Sequence, residues 1–452
     1  MKLIYQQTGR VLSVLLMGLA LALPWGQANA QHDIRGITGP TFNLYAFPFN
    51  INLPEGSSLQ MWGFGDQDGK AGTGYNLPQY PGPTLVVTEN QQVTINLTNS
   101  GVPNPVSIVV TGHNVQANCS TATCTDGLVT TASSGASETV SYTFTPTEPG
   151  TYIYHSLDGT NPGLHVEMGL LGVLIVRPDP ATNTGRNAYG DGTGTDYEQE
   201  FLSLLTEVDP EIHLQMERGH VTHFTNSDRF AKVWFVNGRV FPDLFQGDYN
   251  ELFPHQPYQS LAQAHPGEKV LVRQVNAGQD SHPFHFHGEN LRFIGRDGRK
   301  LSSDGVVADI GRSDNTINSA PKQAIDAIWE WSGKNLGWDI YGHDTTHVCN
   351  PGPDGFGDGT STYPGEWCAD HGKAFPVTLP GAGELSLGGW WSGSPFLGDV
   401  GDLPPGEGGL NPFGGYFFVW HSHAEKELTT FDIFPGGSLG AVVVLPPGTP
   451  IE

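Results

Sequence analysis

Short runs of β-branched and aromatic residues, separated by turns rich in glycine, proline and asparagine, recur from Phe42 to about Pro180. Residues 84–88, 92–97, 106–110, 139–144, 151–154 and 169–176 have the length and residue types of strands. Their even spacing predicts a β-sandwich. Residues 181–196, dominated by Asn, Gly, Thr and Asp, read as a linker, and a second strand-rich region occupies 197–450. The two regions close alike. Residues 150–156 deliver a histidine, and after a loop the apolar run 169–176 follows; residues 416–423 and 436–444 repeat that order. The repetition predicts two related all-β domains, 35–180 and 197–450, the second carrying a loop-rich insertion at about 302–397.

The first thirty residues have the layout of an export leader: Lys2 and Arg10, an apolar run over 11–23, then Ala28-Asn29-Ala30 as a small-residue cleavage site. That run is shorter than a membrane span needs, and no later segment reads as one. The mature chain is therefore expected in the periplasm or outside the cell. A formal charge of −25 argues against nucleic-acid binding, which needs lysine and arginine to neutralise phosphates. In an exported chain the cysteines are expected to form two local disulfides, Cys119 with Cys124 and Cys349 with Cys368. None of them lies beside a histidine motif.

Four histidine segments stand out: Thr111-Gly112-His113, His155-Ser156-Leu157, 282–288 (His-Pro-Phe-His-Phe-His-Gly) and His421-Ser422-His423. In a strand, residues i and i+2 share a face, so His285 with His287, and His421 with His423, can each present two imidazoles together. Imidazole suits copper or zinc. The order and flanks of these segments (237–239, 266–268, 273–276) resemble the copper motifs of multicopper oxidases over nearly the whole mature chain.

The resemblance implies tandem cupredoxin domains, copper as the metal with zinc as the other candidate, a small-molecule or metal-ion substrate, and a homotrimer. Of the family's eight cluster histidines, Thr111 and Leu157 replace two, while His113, His155, His285, His287, His421 and His423 remain. By family role, His113, His155 and His423 would surround one copper, His287 and His421 would hold a second one ligand short, and His285 alone would serve the third. At the electron-accepting type 1 site His282 remains, but Ser422, Glu427 and Asp432 stand where cysteine, histidine and the axial ligand belong. A serine hydroxyl cannot replace the soft thiolate of a blue-copper site.

The first domain's loop also resembles copper nitrite reductases, with His155 and His165 ten apart and Leu170 five further on. In that register His113, Ser156, His165 and Leu170 would take the type 1 positions and His155 would be a type 2 ligand, so the two registers disagree about His113 and His165. Glu425 and Glu427 follow the last histidine and are candidate proton carriers or metal ligands, or simply solvated. Two functions remain open: an atypical copper oxidoreductase with a partial histidine cluster and no type 1 copper, or a non-catalytic metal-binding scaffold.

Overall fold

The computed structural model describes residues 32–451, apart from 70–75, 119–125, 129, 131–134, 136, 158–160, 162, 221–225, 342–346, 374–415 and 446–448. The expected leader, the Cys119 and Cys124 pair and residues 374–397 of the expected insertion lie outside the described residues.

Every second side chain of Val93–Asn99 is buried, the pattern of a strand with one face on a core. It pairs parallel with Thr41–Asn52 and antiparallel with Thr139–Phe144, and Ser58–Asp66 and Gln116–Asn118 complete that sheet. The opposing sheet runs in the order Ile37–Thr38, Leu85–Thr88, Leu171–Arg177, Gly150–His155, Val109–Val110. Phe42, Leu44, Ile95, Leu97, Tyr142, Tyr154 and Leu174 fill the space between the two. A second pair of sheets repeats the arrangement. One contains Val233–Val236, Gln199–Val208, Lys269–Asn276, Gln323–Glu330 and Leu291–Arg296; the other runs Leu261–Ala264, Leu439–Val444, Tyr416–Ser422, His282–Phe286, Thr316–Ser319. The protein is thus all-β, with tandem cupredoxin-like sandwiches.

Thr316–Ser319 and Gln323–Glu330 fall inside the range read above as an insertion, yet the second of them is flanked on both sides in its sheet. The loop-rich stretch therefore begins after Glu330. Asp326 disguises that strand in the sequence, because a carboxylate in mid-run suggests a turn. Here it is buried and accepts hydrogen bonds from Thr151 Oγ1 and Tyr189 Oη, each at 2.6 Å. Cys349 and Cys368 form the expected disulfide.

All ten positions of Gln199–Val208 are buried. Its two faces serve two cores: Phe201 and Leu205 join the second sandwich, whereas Leu202, Leu204 and Val208 pack with Ile153, Val173 and Ile175 of the first. Glu200, on the same strand, sits between Arg177 of the first sandwich and Arg273 of the second, with Arg273 Nε 2.6 Å and Arg177 Nη2 2.5 Å from its carboxylate. Burial alone would raise the Glu200 pKa, but the two guanidinium groups outweigh it and hold the carboxyl far below its ordinary range. Among the described residues no helix is long and apolar enough to cross a membrane.

Candidate metal centre

His282–Phe286 and Tyr416–Ser422 are antiparallel neighbours, with His285 opposite His421. Strand alternation buries Phe284, Phe286 and Trp420 in the second core and sends His285, His287, His421 and His423 to the other face. The four rings gather there. Centroid separations are 4.6 Å for His285–His423, 4.8 Å for His285–His287 and 5.2 Å for both His287–His421 and His421–His423. His287 Nε2 faces His421 Nε2 at 3.2 Å. Burial first, then the nearby His423 and His421, push the pKa of His285 down to about 4; burial also lowers that of His421. Both shifts favour the neutral ring of His285 and of His421, the form with a lone pair to offer.

The first-domain histidines are placed differently. His113 packs edge-on against Tyr152 and Phe144, with Nδ1 2.9 Å from the Thr111 carbonyl oxygen. Tyr152 and His155 leave their strand on opposite faces, so His155 looks toward the second sandwich, where burial and then Lys322 lower its pKa to about 4. The described contacts do not bring His113, His155 and His423 together within one chain. His165, on the short helix Leu164–Glu167, lies with Nδ1 2.7 Å from Ser156 Oγ, which also accepts the Ser107 backbone N–H at 2.8 Å. The side chains of Ser156 and His165 meet, with Ser107 beside them, whereas His113, which the nitrite-reductase register would set in the same place, packs against Tyr152 and Phe144 instead.

Models of the multicopper oxidase family match residues 61–181 and 209–328, together more than half of the chain. The chain belongs to the multicopper oxidase family. Its fold is similar to that of a blue copper oxidase from Nitrosomonas europaea, at 17% identity over 89% of this chain and 85% of that one, with a TM-score of 0.50. It is also similar to the multicopper oxidase mgLAC, at 18% identity over 91% and 87% of the two chains, with a TM-score of 0.52. No curated protein matches it in sequence.

Membership of the multicopper oxidases implies copper, and the four-histidine face fits it. Two facing imidazole nitrogens can share one proton or a cation, and an all-imidazole donor set suits copper.

His282 lies on the opposite, core-facing side of its strand and tells a different story. Its Nδ1 is 2.9 Å from Glu427 Oε2 and its Nε2 is 2.8 Å from Glu207 Oε2, so the ring donates from both nitrogens and carries a proton on each. Burial alone would lower its pKa; the hydrogen bonds and charges of the two glutamates outweigh that and raise it to about 9. Glu207 in turn accepts from the Gln279 and Asp280 backbone N–H groups and pairs with Arg229 at 2.7 Å, while Arg229 reaches Glu167 at 2.5 Å. Burial of Glu167 exceeds the pull of Arg229 and pushes its pKa up to about 7.

Of the other candidates, Ser422 is buried and accepts the Ala424 N–H, Asp432 is exposed in a turn with φ 62°, and Glu425 is exposed on the surface. Glu427 is buried as the partner of His282. Glu207 escaped the sequence reading. Its one signal there is a glutamate near the end of the apolar run Phe-Leu-Ser-Leu-Leu-Thr-Glu-Val, 201–208.

Proposed function

We propose that the chain is an exported copper protein that binds copper on the face formed by His285, His287, His421 and His423 and works without a type 1 centre. The Glu207–His282–Glu427 bridge carries this reading. A doubly protonated imidazole has no lone pair for a metal, and Ser422 offers no thiolate. In the first sandwich Ser156 likewise offers no thiolate, and it hydrogen-bonds His165 instead.

Copper on the four-histidine face would supply one-electron chemistry. With no relay copper, reduction of oxygen by a laccase cycle is not expected, and a small molecule or metal ion would have to reach the face directly. His423 is exposed, which leaves that face open to a substrate. It also leaves room for a neighbouring copy, as in a homotrimer, although His113 and His155 are buried within their own chain and would have to be uncovered to reach it.

Copper-loaded protein is expected to contain copper yet lack the intense blue band of a copper–thiolate bond. His421→Ala and His287→Ala should each lower the copper content, measured by elemental analysis. A blue band in the wild type would overturn the missing type 1 site; unchanged copper in both variants would overturn the ligand face. Oxygen uptake with phenols, metal ions or nitrite then separates an oxidoreductase from a scaffold that binds without turnover.

A further inference from the structure

Outside the copper-motif histidines, Asp339, His347, Glu366 and His371 bring one ligand atom each to within 4.8 Å of one another. His347 Nε2 lies 3.3 Å from Asp339 Oδ2 and 3.2 Å from Glu366 Oε1, and His371 Nδ1 lies 3.5 Å and 2.7 Å from the same two oxygens. Two ring nitrogens with one hydrogen each can satisfy at most two of these four contacts, so hydrogen bonding does not account for the convergence. A central cation accounts for the convergence. Ligands at about 2.0–2.1 Å in a tetrahedron stand roughly 3.3 Å apart, close to three of the four observed separations. A second observation is independent of these distances: Glu366 is 1% exposed, and its other oxygen, Oε2, is buried with no hydrogen-bond partner. A carboxylate left so costs free energy unless a charge compensates it.

The chain is arranged to make this site. His347 stands two residues before Cys349 and Glu366 two residues before Cys368, so the disulfide sets the two ligands side by side. Asp339 is fixed by N–H donors from Tyr341 at 2.9 Å and Gly372 at 2.7 Å. The adjacent Ile340 belongs to the second core, where Tyr416 Oη donates to its carbonyl.

We propose that Asp339, His347, Glu366 and His371 form a closed four-coordinate zinc site that fastens the segment between Asp339 and Lys373 to the second sandwich. Imidazole and carboxylate without thiolate suit zinc, and four protein ligands leave no open position for chemistry. The site is separate from the copper face, and its test does not depend on that face.

The test is zinc binding to metal-stripped full-length protein, measured by elemental analysis after dialysis and by thermal melting. Wild type should take up one zinc that persists in a His287→Ala, His421→Ala double variant. Glu366→Gln, which keeps the side chain's shape, and His371→Ala, whose ring is partly exposed, should each lose that equivalent and the zinc-dependent rise in Tm. An unchanged zinc equivalent in both Glu366→Gln and His371→Ala would overturn the site. Uptake of manganese but not zinc at these residues would overturn the tetrahedral assignment.

Discussion

His282→Leu is expected to destabilise the metal-free protein by about 3–5 kcal/mol, the cost of removing one partner from a buried charge cluster. Glu207 and Glu427 are each about 2–3% exposed and would be left facing one another without the cation between them. Adding Glu207→Gln and Glu427→Gln to the same variant should recover much of the loss, because neutral amides need no counter-charge. The wild type should also show a distinctive pH profile. The folded pKa of His282 is raised to about 9 from an ordinary 6.5, so its stabilisation is complete below 6.5 and disappears as the pH rises through 9. That difference corresponds to about 3 kcal/mol. Glu207, whose pKa is held below its ordinary value, contributes in the opposite sense, with stability lost on acidification. Denaturant melts of metal-free wild type and His282→Leu between pH 6 and 10 should therefore converge as the pH rises. Parallel curves would show that His282 is not the group that titrates.

Arg273→Leu is expected to cost a similar amount, about 3–5 kcal/mol, but through the contact between the sandwiches. Arg273 is fully buried and serves Glu200 through Nε at 2.6 Å and Thr151 through Nη1 at 2.9 Å, with Asp326 at 3.4 Å from the same Nη1. Its loss leaves Asp326 with hydroxyl donors alone and Glu200 with Arg177 as its one remaining guanidinium partner. The sandwiches should then loosen from one another, read as faster proteolysis under native conditions at 181–187, the more exposed part of the expected linker; its remainder, with Ala188, Tyr189, Thr193 and Thr195, is packed against the second sandwich. Arg273→Lys should not restore the wild-type state, since an ammonium cannot reproduce the guanidinium's planar set of donors. Wild-type proteolysis rates in the Leu variant would mean that apolar packing alone holds the two halves.

The strands and the paired histidines were legible because both depend on local periodicity. Alternation within 282–287 and 416–423 is enough to place His285, His287, His421 and His423 on one face. Glu427 was legible as a departure from the family pattern, and it does lie against His282. Glu207 was not, because it reaches His282 across 75 residues from a different sheet, a distance at which no spacing rule operates. The strand Gln323–Glu330 was hidden by Asp326, whose partners Thr151 and Tyr189 lie far back along the chain. The Asp339 to His371 group was also hidden. Its members sit at irregular intervals in turn-rich sequence, and only the cysteines beside two of them carried a recognisable signal.

The wholly buried strand Gln199–Val208 has a consequence for modularity. Its apolar residues are divided between two cores, so a cut in the preceding linker would strip Leu202, Leu204 and Val208 of their cover and expose Ile153, Val173 and Ile175 on the other fragment. Each fragment would then present a contiguous greasy face of the kind that drives self-association. Domain exchange with a relative should therefore succeed only when this strand and the face it covers are transplanted together.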